Sequence, residues 1–265
     1  MLIVISTPFM LDTNRELSIT EELFASGLPL FHLRKPEISL DETLEWISKL
    51  PQGRKDQIVW HPPQSIFGIK DGADGRLNQC AFESGLIQML GFVKSASVQR
   101  LHLPGWLRGR LDRFCPKWSA LMPSGVRFST GIHRWSELKV LEAQQATAIS
   151  PMRYTHLLVS PVFDSISKKG YPARKELLEG MKLNPFIHRV GMAVDNQCKP
   201  ALAQQGQQQL QKSHRPRLIA MGGIHAENLP EVKAAGFAGA ALLGAIWRNE
   251  MEIPEFKKCL AIWKN

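Results

Sequence analysis

Eight short apolar runs, most of them separated by stretches with helical spacing, constrain the fold of this 265-residue chain more than any other feature. Strands that alternate with helices predict a parallel sheet joined by helical crossovers. Eight strands predict an α/β fold of the closed (β/α)8 type, a TIM barrel, and this length fits one such barrel. An open doubly wound sheet is the alternative, but no GxGxxG motif follows the first run. The eight runs are Leu2–Ser6, Leu30–Leu33, Ile58–Trp60, Val98–Leu103, Val126–Ser129, His156–Ser160, Arg217–Met221 and Gly239–Leu243.

Three stripes of apolar residues at helical spacing lie between these runs. They begin at Leu40, Leu107 and Leu138, and side chains three or four positions apart share one face of a helix. Ser136 is the expected N-cap of the third helix, and Asn228 is the expected cap of a further one.

The whole chain, residues 1–265, is interpreted as one barrel domain with two insertions. The range 62–97 is too long for a simple crossover between neighbouring strands, and the range 184–216 contains a glutamine-rich piece. Neither range carries a repeat that would indicate another kind of architecture.

The net charge of +9, from 33 basic and 24 acidic residues, favours anionic partners. The basic residues are spread along the chain and do not alternate with aromatic residues, as a stacking surface for nucleic acid would require. The charge therefore favours a phosphorylated small molecule and no nucleic acid.

Hydrophobicity and cysteine spacing give expectations about location. No run approaches about 18 apolar residues, so no membrane association is expected. The apolar first ten residues lack a basic start and are interpreted as a strand, not a signal peptide. The four cysteines are widely spaced without a CxxC motif, which predicts neither a disulfide framework nor a zinc knuckle. A reducing, cytoplasmic location is expected.

His32 and Arg34 come at the end of the second strand and share one face, because side chains alternate along a strand. In a TIM barrel the chemistry lies on the loops at the carboxyl ends of the strands. An arginine at the barrel mouth needs an anionic partner. A phosphate group and a carboxylate of a neighbouring strand both satisfy that need, and the sequence leaves both open.

Ser129, Gly131 and His133 share one face at the end of the fifth strand. An imidazole beside a missing side chain leaves room for a ligand, and its pKa range suits proton transfer near neutral pH. The alternative is an ordinary surface histidine at a helix start. The loop after the sixth strand contains Lys168 and several hydroxyl groups, which suits either an anion-covering loop or an ordinary flexible one.

Glycines end the last two strands. Gly222 and Gly223 follow the seventh strand, and Leu243 and Gly244 follow the eighth. Barrels often bind a phosphate between these two loops, through backbone N–H groups that glycine leaves accessible. The sequence therefore predicts a phosphate site here.

Five stretches in order resemble the thiamine-phosphate synthase/TenI family. This family consists of (β/α)8 barrels that bind thiazole phosphate. Its synthase branch joins that compound to a pyrimidine pyrophosphate and releases pyrophosphate, whereas its TenI branch contains thiazole tautomerases, which move a proton on the ring. The stretches are FHLRKP (31–36), HRWSELK (133–139), SPVFDSISKKG (160–170), IAMGGI (219–224) and AGFAGAALLGAI (235–246).

The resemblance implies roles for individual residues. His133 matches the acid–base histidine of the tautomerases, and Lys168 matches the loop lysine of the synthases. The family's Gln-x-Arg-x-Lys on the second strand becomes His32, Arg34 and Pro36, so only the arginine is kept. The phosphate-binding positions match Gly222, Gly223, Leu243 and Gly244, and the substrate-binding residues are expected to be His32, Arg34, His102, Ser129 and Lys168.

The chain departs from the synthase branch at its metal site. Synthases end strand 3 with Asn-Asp and follow strand 4 with Gln-x-Asp, and those aspartates hold magnesium. Here the sequences are WHPP (60–63) and HLPG (102–105), without a carboxylate. A hard cation needs oxygen ligands, which His61 does not supply. We therefore expect no metal ligand and no cofactor. Magnesium is expected only if the chain is a synthase.

Three functions are consistent with these features. A TenI-like proton transfer on a phosphorylated thiazole, with His133 as acid–base, is favoured, and it would make the chain an enzyme. A thiamine-phosphate synthase with a rearranged metal site is the first alternative, and a non-catalytic phosphate-ligand-binding or regulatory barrel is the second. The sequence leaves open whether the chain forms a homo-oligomer.

Overall fold

Eight parallel strands close into a barrel in the order β1 to β8, with β8 paired to β1. The computed structural model describes residues 1–9, 11–69, 79–114, 118–146, 154–166, 170–183, 216–248 and 250–265. The expected (β/α)8 TIM barrel is confirmed. The strands are β1 Leu2–Ile5, β2 Phe31–Leu33, β3 Ile58–Trp60, β4 Arg100–Leu103, β5 Arg127–Ile132, β6 Tyr154–Val159, β7 Arg217–Met221 and β8 Gly239–Leu242.

Helices connect the strands and cover the outside of the barrel. In α2 the Ser39 hydroxyl accepts a hydrogen bond from the backbone N–H of Glu42, whose carboxylate accepts from the Ser39 backbone N–H, a capping box that fixes the helix start. Among the described residues, no helix is long and apolar enough to cross a membrane. The helices are α1 Thr13–Ala25, α2 Leu40–Ser48, α3 Gln52–Lys55, α4 Gln79–Ser95, α5 Gly105–Phe114, α6 Trp135–Ala146, α7 Lys175–Leu183, α8 Leu229–Ala234 and α9 Glu252–Lys264.

Several element boundaries differ by one to three residues from the sequence-based expectation, and two of them lie beside the expected site. Strand β5 continues three residues beyond Ser129, because its partner β6 pairs with it as far as Val159. Helix α6 begins at Trp135, so Ser136 lies inside its first turn and is not the N-cap. Glu137 accepts from the His133 backbone N–H at 3.0 Å and stabilises this helix start instead.

The structure describes most of the first expected insertion and little of the second. In the range 62–97 a 3₁₀ turn, Gln64–Phe67, precedes α4, and the two pack closely. A side chain at Gly85 would lie 2.5 Å from the Phe67 ring, so the glycine allows that contact. Of the range 184–216, residues 184–215 lie outside the described residues.

The barrel has two distinct buried layers. The larger core lies between the strands and the surrounding helices. The inner one fills the barrel itself and contains few apolar side chains: Ile3, Ile5, Leu30, Val59, Leu158, Ile219 and Ala241. The rest of the described interior includes four buried or half-buried imidazoles, those of His32, His61, His102 and His156. Polar groups thus lie where TIM barrels normally have branched apolar residues.

Candidate functional site

A cavity of about 330 Å³ opens at the carboxyl end of the barrel. The ends of most strands contribute to its wall, which is where TIM barrels carry their chemistry. Among the described residues that line it there is no aspartate or glutamate. The charged and titratable residues in its wall are Arg34, His61, His102, His133 and Tyr171.

His133 lies at the wall of this cavity and is exposed. Its Nδ1 is 2.8 Å from the carbonyl oxygen of Ser160, which can only accept a hydrogen bond. The neutral imidazole therefore carries its proton on Nδ1, and Nε2 carries the lone pair. The backbone is held as well, since Arg174 donates to the His133 carbonyl oxygen at 3.0 Å. A positioned imidazole with a basic nitrogen is suited to proton transfer.

Arg34 lines the cavity and is half-buried, one residue beyond β2. Its backbone is fixed by Ser6, whose hydroxyl accepts from the Arg34 N–H at 2.9 Å and donates to the Arg34 carbonyl at 3.0 Å. The next side chain, Lys35, points the other way and forms a buried ion pair with Glu16 at 2.7 Å. The expected alternation is thus observed, and it directs Arg34 to the cavity.

The glycines after β7 allow a close backbone approach. Gly222 and Gly223 have φ angles of 101° and 63°, in the left-handed region that favours glycine. A side chain at Gly222 would lie 2.9 Å from Pro161, and one at Gly223 would overlap the Asp164 carbonyl. Both glycines are therefore required by the loop that follows β6, independently of any ligand.

The loop after β7 is braced by Asn228, at the start of α8. The side-chain amide of Asn228 donates to the Gly223 carbonyl at 2.9 Å, and its oxygen accepts from the His225 N–H at 3.0 Å. Within the part of the chain that the structure describes, the N–H groups of Gly223 and Gly244 donate to no protein acceptor. Because both glycines line the cavity, these N–H groups are available to an anion.

Four histidines form a connected group beneath the other side of the cavity. His61 and His102 line the cavity, and their rings stack 4.1 Å apart at 16°. His32 lies below them and is fully buried, with its Nδ1 2.9 Å from Nε2 of His61. Its other nitrogen is 3.1 Å from Nε2 of His156 across the barrel. We call these four residues the histidine cluster.

The proton positions in this series of hydrogen-bonded imidazoles can be assigned step by step, starting at His156. The Thr155 hydroxyl donates to the Phe128 carbonyl at 3.2 Å, so its oxygen must accept from Nδ1 of His156. The Nε2 of His156 is then an acceptor for His32, and Nδ1 of His32 is an acceptor for His61. Every N–H of these three neutral imidazoles then donates a hydrogen bond. The one lone pair without a donor in the series lies on Nδ1 of His61.

Burial keeps these imidazoles neutral. Desolvation and the neighbouring imidazoles hold the pKa of His32 and that of His61 well below the ordinary value near 6.5. Desolvation, together with His156, lowers the pKa of His102 to about 3. Desolvation, together with Arg100, lowers the pKa of His156 to about 4. The cluster is therefore uncharged at neutral pH, with lone pairs available for hydrogen bonds or ligation.

The structure brings most of the expected site residues together. His133, Arg34 and His102 line the cavity, as do the four expected phosphate-binding residues after β7 and β8. His32 and Ser129 lie deeper. They are buried, and Ser129 is hydrogen-bonded to Nδ1 of His102 at 3.0 Å, so both contact cavity residues instead of lining the cavity. Lys168 lies outside the described residues.

Sequence reasoning gave His61 only a minor place and gave His156 none. A signal was present, because histidines occur within or directly after four of the eight strand runs. The parity of each strand relative to the barrel interior would have placed all four inside. That parity becomes certain only once the closed register is known.

No protein-family model and no curated protein matches the chain.

Solved structures match over nearly the whole chain. A thiamine phosphate pyrophosphorylase from Bacteroides thetaiotaomicron aligns with a TM-score of 0.56 and 19% identity, over 99% of this chain and 97% of that one. A thiamine phosphate pyrophosphorylase from Pyrococcus furiosus gives 0.57 and 14%, over 99% and 95%. A 3-hexulose-6-phosphate synthase gives 0.57 and 15%, over 99% of both chains. At 14 to 19% identity, these likenesses establish the (β/α)8 fold and nothing finer.

Proposed function

We propose that this barrel binds a phosphorylated thiazole-type molecule in the cavity at its carboxyl end and transfers a proton on the thiazole ring. The observation that carries the proposal is that one cavity is lined both by His133 and by the glycines after β7 and β8. A proton-transfer group and an anion-binding backbone are the two parts that such a reaction needs.

The phosphate is assigned to the N–H groups of Gly223 and Gly244, with Gly222 and Leu243 at its sides. These N–H groups donate to no described protein acceptor, and a phosphate oxygen accepts such hydrogen bonds readily. Arg34 contributes positive charge from β2 to the same cavity. No aspartate or glutamate is among the described residues that line the cavity.

The proton transfer is assigned to Nε2 of His133. Its Nδ1–H is occupied by the Ser160 carbonyl, so Nε2 accepts the proton from one ring position and returns it to another. A positioned acid–base group of this kind contributes about 10²- to 10⁴-fold to the rate. The product is the aromatic tautomer of the thiazole.

The two alternatives differ from this proposal in what they require. A synthase must neutralise a pyrophosphate leaving group, and the described cavity wall offers magnesium no carboxylate. Two structural relatives bear the name thiamine phosphate pyrophosphorylase, which agrees with a thiamine-related ligand for either branch. A non-catalytic binding barrel needs no positioned imidazole, and His133 is positioned by hydrogen bonds at both its ring and its backbone.

A paired assay on the purified chain separates these functions. Tautomerisation of the carboxylated thiazole phosphate is followed in one arm. In the other arm, thiazole phosphate, pyrimidine pyrophosphate and magnesium are tested for coupling. We expect turnover in the first arm only. Turnover in the second arm indicates a synthase, and binding without turnover in either arm indicates a binding barrel.

The variant His133→Asn tests the assigned acid–base group. We expect turnover to fall by about 10²- to 10⁴-fold, with ligand affinity changed much less. His225→Asn is the matched control, because His225 lies on the wall of a different cavity, beside Glu227. Full activity of His133→Asn would move the acid–base role to another residue.

A further inference from the structure

The histidine cluster contains a group with the composition of a metal site. One ring nitrogen from each of His32, His61 and His102 lies within 4.8 Å of the other two. His32 is fully buried, His102 is buried and His61 is half-buried at the cavity floor. Imidazole nitrogen is a ligand for cations of intermediate softness such as Zn²⁺, Co²⁺ and Cu²⁺. We propose that these three histidines form a binding site for a divalent transition metal, with its open coordination position facing the cavity.

The second nitrogens of two of these ligands are already held, as metal-binding histidines require. Ligating imidazoles usually donate their other N–H to a fixed partner, which sets ring orientation and tautomer. His102 has Ser129 Oγ at 3.0 Å from its Nδ1. His32 donates from Nε2 to His156, whose own Nδ1–H is bound by Thr155. This support leaves Nε2 of His102 and Nδ1 of His32 as the lone pairs for a metal.

A metal would take the place of the proton that His61 donates to His32. These rings share one hydrogen bond of 2.9 Å. A tetrahedral ion with nitrogen ligands at about 2.1 Å separates those nitrogens by roughly 3.4 Å. The pair therefore needs to open by only about half an ångström. His61 becomes a ligand through Nε2 when its proton moves to Nδ1.

The third ligand requires a ring to turn. His61 and His102 are stacked at 16°, so their lone pairs do not converge on one point. Rotation of the His102 ring about its Cβ–Cγ bond brings Nε2 toward the other two nitrogens, and the Ser129 hydroxyl has to follow the ring for its hydrogen bond to Nδ1 to persist. His102 borders the cavity, so its ring has open space on one side. Metal loading is therefore expected to break the stacking of these two rings.

The charge of the cavity determines what completes the coordination sphere. No described residue that lines the cavity is a carboxylate. Three neutral imidazoles leave the charge of a divalent ion uncompensated, and an anion in the open position offsets it. The site therefore binds its metal together with an anionic ligand. Metal binding by these histidines differs from the sequence-based expectation of no metal ligand, and it does not depend on the thiazole reaction.

Cobalt titration of tag-free, chelator-treated full-length protein tests the site without any substrate. We expect about one Co²⁺ per chain, the strong visible absorption of a tetrahedral complex, and displacement by Zn²⁺. Azide should change the spectrum by occupying the open position. No stoichiometric binding, or binding with only the weak spectrum of an octahedral complex, would overturn the proposal.

Variants locate the binding. His61→Gln and His102→Gln should each weaken Co²⁺ binding by more than about 100-fold, since loss of a supporting residue alone costs about 10- to 100-fold. His156→Gln, which removes such support, should show that smaller effect. His225→Gln is the control, His133→Gln tests the other histidine of the cavity wall, and the double variant His188→Gln/His214→Gln covers the two histidines outside the described residues. Binding lost only in that double variant would place the metal elsewhere and overturn the proposal.

A measurement on the wild-type chain avoids dependence on variants that fail to fold. Pulsed EPR of the Cu²⁺-loaded protein counts the coordinated imidazoles, and three are expected from this group. A single imidazole, or none, would contradict the site and leave the four histidines as a hydrogen-bonded interior network.

Discussion

Imidazoles occur at inward positions of β2, β4 and β6 and directly after β3, whereas β1, β7 and β8 face the cavity with Ile5, Met221 and Ala241. We call these the histidine side and the glycine side of the barrel. On the histidine side, at least one nitrogen of each ring is hydrogen-bonded to a neighbouring ring or hydroxyl group. On the glycine side, side chains are small or apolar, and the backbone itself is exposed to the cavity.

The difference shows two ways of placing polar groups inside one barrel. Imidazoles on the histidine side depend on burial and on each other, so their chemistry is sensitive to protons and metals. Backbone N–H groups on the glycine side carry a fixed partial charge that does not titrate. A phosphate site is therefore expected to tolerate changes of pH that the histidine side does not.

Gly223→Ala should have the largest effect on stability. At a φ of 63°, a non-glycine residue costs about 1–2 kcal/mol. The new methyl group would also overlap the Asp164 carbonyl and approach Cβ of Phe163 to 2.8 Å, and such overpacking adds about 1–3 kcal/mol. We expect a loss of about 2–5 kcal/mol in the free energy of unfolding, measured by urea denaturation.

Gly109→Ala is the matched control for this substitution. A side chain at Gly109, in α5, would have no described atom within 4 Å. In a helix interior, alanine is favoured over glycine by about 0.5–1 kcal/mol, so this variant should be slightly more stable. Equal effects of the two variants would mean that the backbone after β7 is not constrained as described.

Arg34→Ala tests whether the positive charge of the cavity acts on the ligand or on the fold. If Arg34 contacts the ligand anion, its removal should weaken thiazole phosphate binding by about 1.5–3 kcal/mol, the strength of a charged hydrogen bond. Isothermal titration calorimetry measures the change, and unfolding should be little altered. Arg54→Ala is the control, because Arg54 precedes β3 at the opposite end of the barrel.

The opposite result has an equally definite meaning. A large loss of stability with unchanged ligand affinity would show that Arg34 belongs to a structural ion pair. The cavity would then depend on the glycine side alone for its anion.

Acid should destabilise the histidine side selectively. The folded pKa values of His102 and His156 are lowered to about 3 and about 4, whereas the unfolded chain titrates near 6.5. The unfolded state therefore binds more protons below that value, so stability is complete above it and is lost as the pH falls. Between pH 6 and 5 these two residues alone should cost about 2 kcal/mol.

Urea denaturation of metal-free protein at the two pH values measures this loss. In His156→Gln, which removes one of the four buried imidazoles, the loss over that pH interval should be smaller by about 1 kcal/mol. His225→Gln should keep the wild-type dependence. A stability that does not change between the two pH values would mean that the imidazoles are solvated or already charged in the folded state.

The strands and the glycine side could be predicted from the sequence because their signals are local. Short apolar runs give the strands, and the glycines after β7 and β8 stand next to them in the chain. Alternation also separated Arg34 from Lys35 correctly, since neighbouring side chains on a strand face opposite sides.

The histidine cluster could not be predicted in the same way because it forms across the barrel. His32 meets His156, 124 residues later in the chain, only when eight strands close with one particular register. Burial of His32 and Ser129 beneath the cavity follows from the same register. No local pattern indicates which strands will face each other across the interior.

Magnesium should have the smallest effect on ligand affinity and turnover. A missing magnesium effect would distinguish both sides of this barrel from the metal site of a synthase. Neither side offers Mg²⁺ a carboxylate among the described lining residues, and imidazole is a poor ligand for so hard a cation. Adding millimolar Mg²⁺ to metal-free protein should therefore change thiazole phosphate affinity and turnover by less than about twofold. Calorimetry with Mg²⁺ alone should show no saturable binding, whereas Co²⁺ serves as the positive control for the histidine side.

The comparison must use magnesium addition and not chelation, because a chelator would also remove a metal bound by the histidines. Activity that appears only with Mg²⁺ would reveal an oxygen-ligand site elsewhere in the chain and would favour the synthase alternative.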